Sequence, residues 1–131
     1  RYLLNFASHI TTDYVTINKT TASNTIVLGR VANSAAKAVT SATFSGVAWQ
    51  SVMLSWSTSR DQLKAFQNGA QIGTTQTGLS AASDTALEAT VTTIGARNTA
   101  PASVWSGFLA HVIVWDTPED QNKIALMTNF L

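Results

Sequence analysis

Seven carboxylates, Asp13, Asp61, Asp84, Glu88, Asp116, Glu119 and Asp120, are the groups from which hydrolytic or metal chemistry would have to be built. Glycoside hydrolysis needs two carboxyl groups about 5 to 9.5 Å apart across one sugar. No strand-like run here carries two of them. Asp116, Glu119 and Asp120 crowd a helix start, where they stabilise the helix dipole rather than hold a substrate. A hydrolase is therefore kept only as a remote alternative. Calcium needs six to eight oxygens, commonly from several carboxylates. His9 and His111 are too few for a dedicated zinc site, and no cysteine is present to add a thiolate.

Four tryptophans remain as chemistry of another kind, because an aromatic face stacks on a sugar ring. Trp56 shares an alternating run with Val52 and Leu54, and Trp115 ends an apolar run, so both are expected in a core. Trp49 begins a strand and is expected to plug one end of the fold. Trp105 follows the loop Asn98-Thr99-Ala100-Pro101-Ala102-Ser103 and is the best candidate for a partly exposed platform. Arg97 and Asn98, at the mouth of the same loop, would orient a sugar through polar contacts. Candidate carbohydrate-binding residues are thus Trp105, Arg97 and Asn98, with no catalytic and no metal residue. His111 sits in an apolar run and reads as a satisfied core histidine. His9 lies at a strand end and reads as a loop residue. Asn18-Lys19-Thr20 matches a glycosylation sequon, a three-residue pattern that is common by chance.

The elements that would position these residues are short and β-like. Hydrophobic residues make up 45% of the 131 residues and charged residues 11%, under half the usual charged share of about 25%. Ser and Thr fill the gap, and Thr suits a pleated, half-exposed surface. Asn68-Gly69 lies between two strand-like runs and predicts a two-residue type I′ hairpin, which requires φ > 0 at both central positions. Runs at Tyr2 to Ala7, Asp13 to Asn18, Thr25 to Val31, Ala38 to Phe44, Gln50 to Trp56, Leu63 to Phe66, Ala70 to Thr74 and Val91 to Ile94 are separated by turn chemistry, including Asn33-Ser34. Trp105 to Trp115 is apolar on both faces, which predicts a long central strand or one carrying a bulge at Gly107. Asp116-Thr117-Pro118-Glu119 followed by Ile124, Met127 and Leu131 predicts one C-terminal helix with an apolar stripe. Ala81 to Glu88 reads as a short helical turn. The whole predicts an all-β antiparallel sandwich with one short C-terminal helix.

In its second half the chain resembles the laminin G-like, concanavalin A-like jelly-roll superfamily, in its pentraxin and laminin-G branch. The residues that carry the likeness come in order: Trp49, Val52-Met53-Leu54, Ser59-Arg60-Asp61, Leu63 to Phe66 with Asn68-Gly69, and Ile72-Gly73. Thr93-Ile94-Gly95, Gly107 to Val114 and Thr117-Pro118-Glu119 complete the pattern. The likeness covers roughly residues 47 to 130. It implies a jelly roll, and it frequently implies a calcium site. The family's Asp before the turn glycine is Asn68 here, and its late-strand acids are Ala110 and His111, so no cofactor is expected. A calcium ion held by Asp84 and Asn98 is the minor alternative. The glucanase pattern Glu-x-Asp-x-x-Glu is absent. Family domains begin with a further strand or two, so residues 1–131 are expected to form a single laminin G-like domain that lacks its N-terminal strands or belongs to a longer chain. The cysteine-free, charge-poor, Ser/Thr-rich style resembles the domain's versions in bacteriophage tail, fibre and capsid proteins.

Those features imply a non-catalytic glycan-binding or adhesion module on an extracellular or virion surface. The alternative is a purely structural capsid-decoration or tail component. The expected partners are a cell-surface glycan or neighbouring virion proteins, with homo-oligomers among the assemblies. Lys and Arg number eight and are scattered singly, with a net charge of +1, so no nucleic-acid footprint is expected. No apolar run reaches 18 residues, so no membrane insertion is expected.

Overall fold

A computed structural model of the chain describes residues 1–9, 11–20, 23–41, 43, 48–81, 92–97 and 104–114. Among these residues every regular element is a strand. β1 (Tyr2–His9), β2 (Asp13–Lys19), β3 (Ile26–Ala32) and β4 (Ala35–Thr40) are followed by β5 (Val52–Ser57), β6 (Gln62–Gln67), β7 (Ala70–Gln76) and the short β8 (Thr93–Ile94). They form two antiparallel sheets, one of five strands in the order β4-β3-β2-β1-β8 and one of three in the order β5-β6-β7. The all-β expectation holds.

Turn chemistry sets the hairpins. Asn68 and Gly69 have φ of 50° and 81°, as the Asn-Gly signal requires, and close β6 onto β7. Asn33 and Ser34, at φ of 47° and 64°, do the same between β3 and β4, where Ala32 faces Ala35.

The strand period of two sorts each sheet into faces. Ile17, Leu28 and Val39 stand opposite one another across β2, β3 and β4. With Ile26 they meet Leu63 and Ala65 of β6 in one apolar cluster, with Val52, Leu54 and Ile72 packed around it. The two sheets therefore share a core in a sandwich-like arrangement. Asp61 ties the second sheet's edges together from outside that core. Its carboxylate accepts hydrogen bonds from Leu79 N at 2.7 Å and Gly78 N at 3.0 Å. These bonds fix the chain leaving β7, where Leu79 turns in against the cluster.

Several expectations are corrected. Residues 105 to 114 carry no strand. Only Val104 pairs, in an isolated parallel bridge to Tyr2, and residues 106 to 114 are exposed. The physical reason is the lack of alternation: a run apolar on both faces has no pattern to fix its register on a sheet edge. His111 goes with it and is exposed rather than in a core. Trp49 is 71% exposed and does not plug the fold. Trp56 is 37% exposed because it lies at the end of β5, past the point where Val52 and Leu54 meet the cluster. The C-terminal helix expected from Asp116, the turn at Ala81 to Glu88 beyond Ala81, and Trp115 lie outside the described residues.

Candidate functional site

The candidate site is built on the β1 edge of the five-stranded sheet. β8 pairs there through Leu4 with Ile94 and Asn5 with Thr93. Thr92 Oγ1 donates to Ala7 O at 3.1 Å and accepts from Ala7 N at 3.3 Å. The chain then turns through Gly95, whose N donates to Leu3 O at 2.8 Å and whose φ is 82°. Gly95 O in turn accepts from Trp105 N at 2.7 Å. That bond brings Trp105 back beside Gly95, two residues before Arg97.

Arg97 is placed by the same scaffold. Its carbonyl accepts from the Nδ2 of Asn5, a buried side chain of β1, at 3.1 Å. Its guanidinium carbon sits 5.8 Å from the centroid of the Tyr2 ring, inside the range of a cation–π contact. Arg97 is exposed. Trp105 is half-buried, and its Nε1 is shielded with no hydrogen-bond partner among the described residues. A Cβ on Gly107 would fall 3.0 Å from that nitrogen, so the indole lies against the glycine backbone. Of the predicted residues, the structure brings Arg97 and Trp105 to one edge. Asn98, like the calcium candidate Asp84, lies outside the described residues. Among the described residues no group of three or more metal-ligating side chains occurs.

Tyr2 belongs to the cluster and was not singled out by sequence reasoning. A register shift between Tyr2 and Leu4 inserts Leu3 into β1 and sets Tyr2 opposite Asn18. A bulge re-aims a side chain in this way. Tyr2 thereby joins a shallow groove of about 200 Å³ on the sheet face turned away from the core. Its floor is Thr16, Gly29 and Ala38, aligned across β2, β3 and β4. Tyr14 and Val31 flank one side, and Asn18 and Val27 the other. The sequence signal was the second face of the Asp13 to Lys19 alternation, where Tyr14, Thr16 and Asn18 recur at a spacing of two.

Arg30 and Lys37 also line the groove, while the ends of their side chains reach elsewhere. Arg30 and Lys37 share the core-side register with Leu28 and Val39. Arg30 Nη1 donates to Ser80 O at 2.8 Å. Burial lowers the Arg30 pKa, and the field of Asp13 partly opposes this. The Lys37 ammonium reaches toward Gly78. Comparison with protein-family models, with curated proteins and with solved structures finds no match for this chain.

Proposed function

We propose that this chain is a non-catalytic glycan-binding or adhesion module of laminin G-like, jelly-roll type, carried on an extracellular or virion surface. The observation that carries the reading is the convergence of Arg97, Trp105 and Tyr2 on the β1 edge. A cation held 5.8 Å from a tyrosine ring, beside a half-buried indole, offers an aromatic surface for the C–H face of a sugar and exposed N–H donors for its hydroxyls. The residues are set by strand pairing and backbone hydrogen bonds, so little ordering entropy is lost on binding. Binding of the wild-type chain on a broad glycan array, reduced at least tenfold by Arg97→Ala and by Trp105→Ala, supports this function. An array with no bound glycan contradicts it.

One observation favours a second reading, a structural virion component whose surfaces serve protein contacts. Phe108 is 89% exposed, and Leu109, Val112, Ile113 and Val114 are exposed with it. A contiguous apolar stretch of this kind marks an interaction surface when it is large. A stable assembly in solution, measured by light scattering together with a silent glycan array, favours this reading over the first.

A further inference from the structure

We propose that Asn68 is a modification site at which this chain deamidates without an enzyme, and that a side-chain clamp on Gln50 and Ser51 sets the rate. The proposal is independent of any sugar-binding role.

The chemistry needs a side-chain amide followed by an unhindered backbone nitrogen. Asn68 is the one asparagine of the sequence that precedes a glycine, and glycine has no Cβ to crowd its nitrogen. Gly69 N, having lost its proton to base, attacks Asn68 Cγ. A new C–N bond closes a succinimide ring, the bond from Cγ to the side-chain nitrogen breaks, and ammonia leaves. Water then opens the ring at either carbonyl, giving aspartate or isoaspartate. Water is the only co-reactant.

The fold withholds the first move. Asn68 Oδ1 accepts from Ser51 N at 3.0 Å, and Asn68 Nδ2 donates to Gln50 Oε1 at 3.0 Å. The same Gln50 oxygen accepts from Gln67 Nε2 at 2.8 Å, so it is itself fixed. Asn68 N donates to Ser51 O at 2.9 Å. Ser51 is thus bound through both its backbone groups to one residue, and Asn68 carries the β5–β6 pairing one step past Val52 and Gln67. To bring Cγ onto Gly69 N, the side chain must let go of Ser51 and Gln50. Both bonds lie at exposed positions, where water replaces them readily. The clamp therefore slows the reaction and does not forbid it.

Asn33 is the internal comparison. Asn33 and Ser34 form a turn of the same left-handed sense. The backbone N of Asn33 donates to Asp13 Oδ1 at 3.0 Å, but no described residue bonds its side chain. Asn33 therefore has the turn without the clamp.

Reaction at Asn68 undoes what that residue holds together. Aspartate keeps an oxygen for Ser51 N but loses the donor to Gln50 Oε1 and sets two acceptors against each other. Isoaspartate adds one carbon to the main chain, and the two-residue turn that places Gln67 opposite Ala70 no longer closes.

The test incubates the folded wild type, the wild type in urea and Gln50→Ala at mildly alkaline pH, and follows each by tryptic peptide mapping and mass spectrometry. Asn68 is the only asparagine in the peptide 65–97, and Asn33 the only one in the peptide 31–37, so the two are read separately. Gln50→Ala is expected to deamidate at Asn68 roughly 2- to 12-fold faster than the wild type, the factor that one hydrogen bond's net worth sets, with Asn33 unchanged. Urea is expected to accelerate Asn68 by a larger factor than Asn33. A Gln50→Ala chain that deamidates at Asn68 no faster than the wild type overturns the proposal. So does an Asn68 that reacts equally fast in the folded and the urea-unfolded wild type. Should Gln50→Ala accelerate Asn33 by the same factor, the variant has loosened the whole chain, and the wild type alone decides. A greater acceleration by urea at Asn68 than at Asn33 then supports the clamp, and an equal or smaller one overturns it.

Discussion

Gly73 of β7 approaches Val39 of β4 so closely that a Cβ on the glycine would fall 2.7 Å from Val39 Cγ1. This is where the backbone of one sheet meets a side chain of the other. Gly73 has a φ of 62°, and the β6–β7 register slips between Leu63 and Ala65, so β7 bends at this point. Gly73→Ala faces both a left-handed backbone penalty of about 1–2 kcal/mol and a clash in the shared core. We expect it to lower the denaturation midpoint. Val39→Ala in the same chain should recover the part due to the clash and none of the backbone part. Urea unfolding of the two single variants and the double variant measures the coupling.

Asn5 links the core sheet to the candidate site through its 3.1 Å bond to Arg97 O. Asn5 is buried, so Asn5→Ala leaves Arg97 O without this donor and costs about 1–3 kcal/mol. Amide exchange at Ala96 and Arg97 should accelerate more than exchange in β2 or β3. Glycan affinity should fall with it, although Asn5 touches no ligand in this account.

The pH dependence of stability should carry the signature of Asp61. The N–H groups of Leu79 and Gly78, in that order, hold its carboxyl below the ordinary carboxylate value, with help from Lys37. A carboxylate whose folded pKa is depressed contributes stability above its unfolded pKa of about 3.9, and that contribution is lost as pH falls toward the folded pKa. The wild type should therefore lose stability on acidification below about pH 4. Asp61→Asn should be less stable at neutral pH and should show a shallower acid slope. Melting curves of both chains across that range read the difference.

The exposed run from Phe108 to Val114 predicts association. Phe108→Ser with Ile113→Ser should shift the chain toward monomer and raise its solubility, with the melting temperature of the dilute protein unchanged because neither side chain enters the core cluster. Light scattering across a concentration series compares the two.

What could be read from the sequence follows from how local each signal is. Asn68-Gly69 and Asn33-Ser34 are complete within two residues, and both turns form where those pairs lie. Asp13 to Asn18 alternates, and β2 covers it. Arg97 and Trp105 were legible as residues bordering a loop. Their partner Tyr2 was not, because it arrives by a long-range parallel bridge and by a bulge that no short motif encodes. Thr16 was illegible for a different reason. A polar residue on the outer side of an alternating strand normally meets water, yet Thr16 is buried there beside Asn5. Residues 105 to 114 misled because high apolar content without alternation carries strand propensity but no register.

The most direct test is a crystal structure of the chain grown with the glycan that binds most tightly on the array. Ordered sugar density against the Tyr2 ring and within hydrogen-bond reach of Arg97 is the predicted result. Sugar bound on a surface that includes none of Tyr2, Arg97 or Trp105 would contradict it.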